Sequence, residues 1–103
     1  MTLVTDPQQN EVRALRAVGG WRGARVLEIG CGDGRLTVRL ARLGAVVEAI
    51  DPDAASIRRA RKQRNSLLPA RLAKNVRYRV GEAEHLAFPD ESFDRVVFAW
   101  SLC

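Results

Sequence analysis

Cysteine is scarce in this chain. Only Cys31 and Cys103 occur, too few for a disulfide framework and at no metal-binding spacing. Histidine is scarcer: His85 stands alone. No metal cluster is therefore expected. Long apolar runs are missing as well. The longest, VVFAW, is far too short to cross a bilayer. The opening MTLVTDPQQN has no basic start followed by an apolar core, so it is not a secretory signal. No internal repeat or low-complexity tract interrupts the chain. Together these absences argue against a secreted disulfide scaffold, a metal protein and a membrane span. They lead to the expectation of a soluble, cytoplasmic protein.

What is present is an ordinary globular mixture. The 103 residues suffice for one small domain. At this length roughly two thirds of the unfolded chain's surface can be buried, so a packed core is possible. The net charge is +5, and nearly all the basic residues are arginine. Such a balance suits an anionic partner. The arginines are spread along the whole sequence, however, and we read them as a solvated surface, with nucleic acid not favoured.

Periodicity orders the elements. Val12, Leu15 and Val18 recur at helical spacing, and the glycines at 19 and 20 end a helix over 7–18. RVLEI at 25–29 reads as a buried strand. Leu36, Leu40 and Leu43 mark an amphipathic helix over 35–43, closed by Gly44. A second strand follows at 45–50. Asp51-Pro52 breaks it, and Asp53 caps a helix running to about 68. VRYRV at 76–80 alternates like a half-buried strand. A polar loop leads to a fourth strand over 93–102. Strands separated by helices predict a doubly wound α/β fold, Rossmann-like, with a parallel sheet. Residues 1–24 form a helix and lead-in; residues 25–103 form the sheet. In such folds ligands bind at the carboxyl ends of the strands. Gly30, Gly32, Gly34, Asp51 and Glu82 all fall at those ends.

The stretch VLEIGCGDG carries the chemistry. Three glycines in alternate positions after a strand let a ligand approach the backbone closely. The N–H groups of the following helix start point into the same space, and Asp33 is placed to cap that helix. A dinucleotide-binding turn would be G-x-G-x-x-G. Here the third glycine comes one residue early. Glu28, two residues before the first glycine, would repel a pyrophosphate and suit a ligand with a positive amino group. Asp51, 21 residues after Gly30, is placed to accept two hydrogen bonds from a ribose diol. Its other possible role, capping the next helix, falls to Asp53.

Three segments, VLEIGCGDG, VVEAIDPD and GEAEHLAFPDESFDRVVFAWSL, stand in one order and spacing across residues 26–102. In this the chain resembles the class I S-adenosylmethionine-dependent methyltransferases, of the group that includes ubiquinone- and menaquinone-type enzymes. The resemblance implies S-adenosylmethionine as cofactor and in-line transfer of its methyl group to an acceptor. It implies that Glu28 serves the methionine end, directly or through water. Gly30, Cys31, Gly32 and Gly34 would line the cofactor with backbone. Asp51 would hold the ribose hydroxyls, with Pro52 against the adenine. Glu82 would accept from the adenine amino group, and Ala83 would offer its N–H to the ring. Ala99 and Trp100 would contact the methionine arm. Glu82 is a departure, since Asp is usual there, and Ala87 stands where the family usually has Pro.

Other residues are assigned plainer roles. His85 lies in the loop and reads as surface. Cys31 reads as packing rather than a nucleophile. The run RRARKQR at 58–64 reads as the solvated face of a helix, and Phe88, Phe93 and Phe98 as core.

The family's sheet has seven strands in the order 3-2-1-4-5-7-6, and only the 3-2-1-4 half is expected here. The chain therefore reads as a fragment whose fourth strand is an exposed edge prone to self-association. The alternatives are an inactive cofactor-binding remnant, a subunit completed by another chain, or a nucleotide-binding domain for NAD. The acceptor is left open, with a small molecule favoured.

Overall fold

The computed structural model describes residues 2–5, 16–82 and 92–99. Five strands form one sheet: β1 (Thr2–Thr5), β2 (Arg25–Ile29), β3 (Val46–Asp51), β4 (Val76–Val80) and β5 (Arg95–Phe98). Every pair is parallel, and the spatial order is β1-β5-β2-β3-β4. Three helices lie between strands: α1 (Arg35–Arg42), α2 (Ala54–Leu67) and the single turn α3 (Ala70–Ala73). Residues 16–18 are helical, and the rest of the helix expected over 7–18 lies outside the described residues.

Local sequence accounts for these elements. β2 and β3 are rich in Val and Ile, which pack well on a pleated surface. In α1, Leu36, Thr37, Val38, Leu40 and Ala41 are buried and the arginines face outward. Asp53 caps α2 as expected: its carboxylate accepts from the Ala55 N–H at 3.2 Å and from the Ser56 hydroxyl at 2.7 Å. These bonds hold its pKa below the ordinary carboxylate value.

The crossovers from β2 to β3 and from β3 to β4 step the same way across the sheet. Right-handed connections then place α1 and α2 on one face. There Val26, Val47, Ala49, Val76, Tyr78 and Val97 from the strands join Leu36, Leu40, Ile57 and Ala60 from the helices in one buried cluster. At the amino end of the strands, Asp94 ties β5 to β2. It accepts from the Arg25 N–H at 2.9 Å and from the Arg25 guanidinium at 3.2 Å, which lowers its pKa. Among the described residues no helix is long and apolar enough to cross a membrane.

The expected 3-2-1-4 order is present as β4-β3-β2-β5. Three details differ from expectation. The fourth strand, β5, is not an edge: β1 pairs along its outer side, Thr2 opposite Arg95 through Thr5 opposite Phe98. Self-association through an exposed fourth strand thereby loses its premise. The short TLVT segment, read as lead-in, is this strand. Second, α3 was not anticipated; Pro69 is its N-cap, directly after Leu68, the C-cap of α2. Third, the basic run at 58–64 is only partly a solvated face. β4 is the other edge of the sheet, and Arg61 and Arg64 reach it. The Arg61 guanidinium donates to the Tyr78 carbonyl at 2.8 Å and that of Arg64 to the Val76 carbonyl at 3.0 Å. Arg64 also lies over the Tyr78 ring, 5.9 Å from its centroid. Two edge carbonyls are thus covered by guanidinium groups, one way in which proteins blunt a strand edge.

Candidate functional site

The carboxyl ends of β2 and β3 are fastened to the glycine loop by backbone. The N–H groups of Gly30 and Cys31 both donate to the Ile50 carbonyl, at 2.9 and 3.0 Å. The Gly34 N–H turns back to the Cys31 carbonyl at 3.0 Å. β5 joins through the Ala99 N–H on the Ile29 carbonyl at 2.9 Å, and β4 through the Gly81 N–H on the Asp51 carbonyl at 3.1 Å. Four strand ends therefore converge on one rim, as the topology predicted.

Two of the glycines meet different constraints. Gly32 has φ +56, and a Cβ there would meet nothing within 4 Å. Its freedom leaves open space above the loop. Gly34 has φ +91, and a Cβ there would fall 2.3 Å from the Tyr78 hydroxyl. Here the protein's own interior demands glycine. Gly34 is itself the N-cap of α1, with no side-chain hydrogen bond at that cap. The capping role expected of Asp33 is thus not present; Asp33 instead lines the cleft beside the loop.

Asp51 is the hinge of the arrangement. One carboxylate oxygen accepts from the Gly32 N–H at 2.9 Å, the other from the Asp53 N–H at 2.9 Å. Each oxygen keeps further acceptor capacity, since an ionised carboxylate offers about four lone-pair sites. The residue therefore sets the loop's shape and still has room to accept from a ligand.

Glu28 is not among the described residues that line the cleft. It is fully buried, and its Oε1 accepts from the Thr37 hydroxyl in α1. Strand alternation explains this: Glu28 shares a face with Val26, toward α1. The carboxylate braces the loop from below and does not line the cleft. Cys31 is also buried, and loss of solvent, reinforced by the Glu28 charge, pushes its thiol pKa up. It stays protonated, which agrees with a packing role.

A cleft of about 230 Å³ opens at this rim. Of the expected site residues, Gly30, Cys31, Gly32 and Ala99 line it. Pro52 and Glu82 are exposed nearby in the chain, Glu82 next to Gly81 at the end of β4. Ala83 and Trp100 lie outside the described residues. The cleft also holds residues that sequence reasoning missed: Arg35 and Leu36 at the start of α1, and Ser56 and Arg59 from the first turns of α2. Ser56 was legible as the partner of the Asp53 cap, and the Arg59 guanidinium donates to its hydroxyl at 3.1 Å. Ligand pockets usually measure about 300–1,000 Å³, so the described residues supply part of an enclosure. A larger groove of about 480 Å³ lies between α2, α3 and β4, lined by Arg64, Leu68 and Lys74 among others. It contains no glycine loop and no carboxylate.

A family model described as a methyltransferase domain matches residues 26–103. The chain belongs to this family. The match starts at the second residue of β2 and takes in the glycine loop, Asp51 and Ala99, the positions on which the site is built. Among curated relatives, the ubiquinone biosynthesis O-methyltransferase of Azorhizobium caulinodans is 38% identical over 88 residues, covering 85% of this chain and 32% of the relative. The mitochondrial enzyme of the same name from Rattus norvegicus is 42% identical over 76 residues, covering 73% of this chain and 21% of the relative. The chain thus spans a third or less of these two relatives. Among solved structures, the YcgJ protein of Bacillus subtilis superposes with a TM-score of 0.75 at 25% identity, covering 88% of this chain and 38% of that one. A glycopeptide N-methyltransferase, MtfA, complexed with S-adenosylmethionine gives 0.74 at 28% identity, covering 86% and 38%. The chain thus shares the fold of part of those proteins, 38% of each.

Proposed function

We propose that this methyltransferase domain binds S-adenosylmethionine at the carboxyl ends of β2, β3, β4 and β5 and serves transfer of its methyl group to an acceptor. The observation that carries the reading is the loop itself. Its backbone is pinned to Ile50 and Asp51 while the space above Gly32 stays open. A solved neighbour of the same fold holds this cofactor.

The residues fit the group. Asp51 has acceptor capacity for a ribose diol, and such charge-assisted bonds contribute roughly 1.5–3 kcal/mol each. Asp33, Asp51 and Glu82 bring negative charge to the rim, which suits a ligand carrying sulfonium and ammonium and opposes a pyrophosphate. Arg35 and Arg59 line the same cleft, where a guanidinium suits the cofactor's carboxylate. Glu28 acts indirectly, by fixing α1 beneath the loop. When bound, the cofactor supplies an activated methyl group on a good leaving group. The chain's own part is to position it, and positioning alone can remove several kcal/mol of the barrier.

The acceptor is set elsewhere. Solved neighbours that share this half-sheet include a magnesium protoporphyrin IX methyltransferase, a phosphoethanolamine N-methyltransferase and the glycopeptide N-methyltransferase. One cofactor half therefore serves chemically unrelated acceptors in those proteins. We place the chain in the cytoplasm as part of this proposal.

Calorimetric titration with S-adenosylmethionine, with NAD as control, tests the reading. Binding of the sulfonium ligand alone supports it. Binding of NAD, or of neither ligand by a folded sample, overturns it for this chain.

A further inference from the structure

The arginines that are scattered in sequence gather in space. α1 carries three basic residues, α2 five and α3 one, and none of the three helices contains an acidic residue. These three helices thus hold nine of the seventeen Lys and Arg and none of the twelve Asp and Glu. Two of the nine, Arg61 and Arg64, are committed to the β4 edge. The remainder are exposed except Arg39, which is half-buried; of them, Arg42 also donates to the Leu67 carbonyl and Arg59 to the Ser56 hydroxyl.

The pattern is sharpest on α1. Leu36, Thr37, Val38, Leu40 and Ala41 are buried, so the positions left toward solvent are Arg35, Arg39 and Arg42. Their spacing of four and three residues stacks them in one stripe, about 10 Å long at 1.5 Å per residue. The stripe lines a groove of about 270 Å³ between α1 and α2, whose far wall includes Gln63 and Leu67. The Arg42 guanidinium reaches across to the Leu67 carbonyl at 3.2 Å. Asp33 and Arg35 line both this groove and the glycine-loop cleft, so the two are continuous.

We infer that the groove between α1 and α2 is a docking surface for the phosphate backbone of a single-stranded nucleic acid, leading to the rim of the cofactor cleft. Arginine's planar fork matches phosphate oxygens in pairs. The surface is concave and linear, the shape of a chain rather than of a lipid plane. It also lacks the exposed apolar residues that an interfacial helix buries among lipids, apart from Leu67 at the end of α2. The inference stands independently of methyl transfer.

The test is fluorescence anisotropy of a fluorescein-labelled 20-nucleotide RNA of mixed sequence with the whole 103-residue chain. Binding in the micromolar range at low salt is expected, weakening steeply as salt rises. R39E/R42E should lose at least tenfold in affinity and lower the salt slope by about 1–2. The equal charge change R71E/K74E, on and beside α3, should cost less than threefold. A thermal melt monitored by circular dichroism reports that each variant is folded, and R39Q/R42Q replaces the reversal should that one unfold. Absence of RNA binding overturns the proposal. So does an equal loss in both pairs, which would reduce it to net charge. Capture of phosphatidylglycerol vesicles without RNA binding overturns it as well.

Discussion

The Tyr78 hydroxyl fills the space that a Cβ on Gly34 would occupy, 2.3 Å away. The two residues belong to elements that are not neighbours in the sheet. Tyr78 projects from the edge strand β4, and Gly34 begins α1 beside β2. The phenol is buried, loss of solvent raises its pKa, and Thr37 is its polar neighbour. Thr37 in turn donates to Glu28. Beneath the glycine loop, then, one side chain each from β2, α1 and β4 meet.

That contact predicts a specific non-additivity. Gly34→Ala combines a left-handed backbone with overpacking, so about 2–4 kcal/mol of stability should be lost in urea unfolding. In a Tyr78→Phe background, with the hydroxyl gone, the same change should cost about 1 kcal/mol less. Strictly additive losses would show that the phenol is not the obstacle.

Thr37→Val keeps the shape of the side chain and removes its hydroxyl. Glu28 then stays buried without this donor, and about 1–3 kcal/mol should be lost. Thr37→Ser should retain most of the stability. Equal stability of the Val and Ser variants would show that the bond contributes nothing.

Asp51→Ala should weaken S-adenosylmethionine binding tenfold or more by calorimetry. It should also lower the unfolding midpoint, because the Gly32 and Asp53 N–H groups lose their acceptor. Asp51→Asn retains one acceptor oxygen and should fall between. Unchanged affinity in the Ala variant would remove Asp51 from the cofactor site.

Asp53 and Asp94 both have pKa values depressed below 3.8 by the hydrogen bonds they accept. A group depressed in the folded state stabilises above its unfolded pKa, and the gain disappears as pH falls through the folded value. The thermal midpoint of the wild type should therefore drop below about pH 4. Asp53→Ala/Asp94→Ala should be less stable at neutral pH and show a shallower acid decline. Parallel declines would assign the acid sensitivity to other groups.

The sheet order and the glycine loop were legible because their signals are long-range in pattern. RVLEI and VVEAID are apolar runs bounded by breakers, and three alternate glycines at a strand end have few other uses. β1 was not legible: TLVT is four residues long, and its partner β5 lies at the far end of the sequence. α3 is a single turn. The burial of Glu28 was within reach, since alternation places it on the face of Val26, but its partner Thr37 lies on α1 and no spacing joins the two. Arg35 and Arg59 were read as surface because their approach to the cleft depends on how α1 and α2 lie against the loop. The same packing gathers the arginine stripe, which no linear spacing joins to α2.

The pairing of Thr2–Thr5 with Arg95–Phe98 has a consequence for how the molecule is made. Synthesis proceeds from the amino terminus, so of the five described strands β1 leaves the ribosome first and meets none of the other four. β2, β3 and β4 can zip with their intervening helices as they emerge. The slot that β1 occupies does not exist until β5 is laid against β2. Among these five strands the first to be made is thus the last that can join, and the step that seats it closes the longest loop between any two of them.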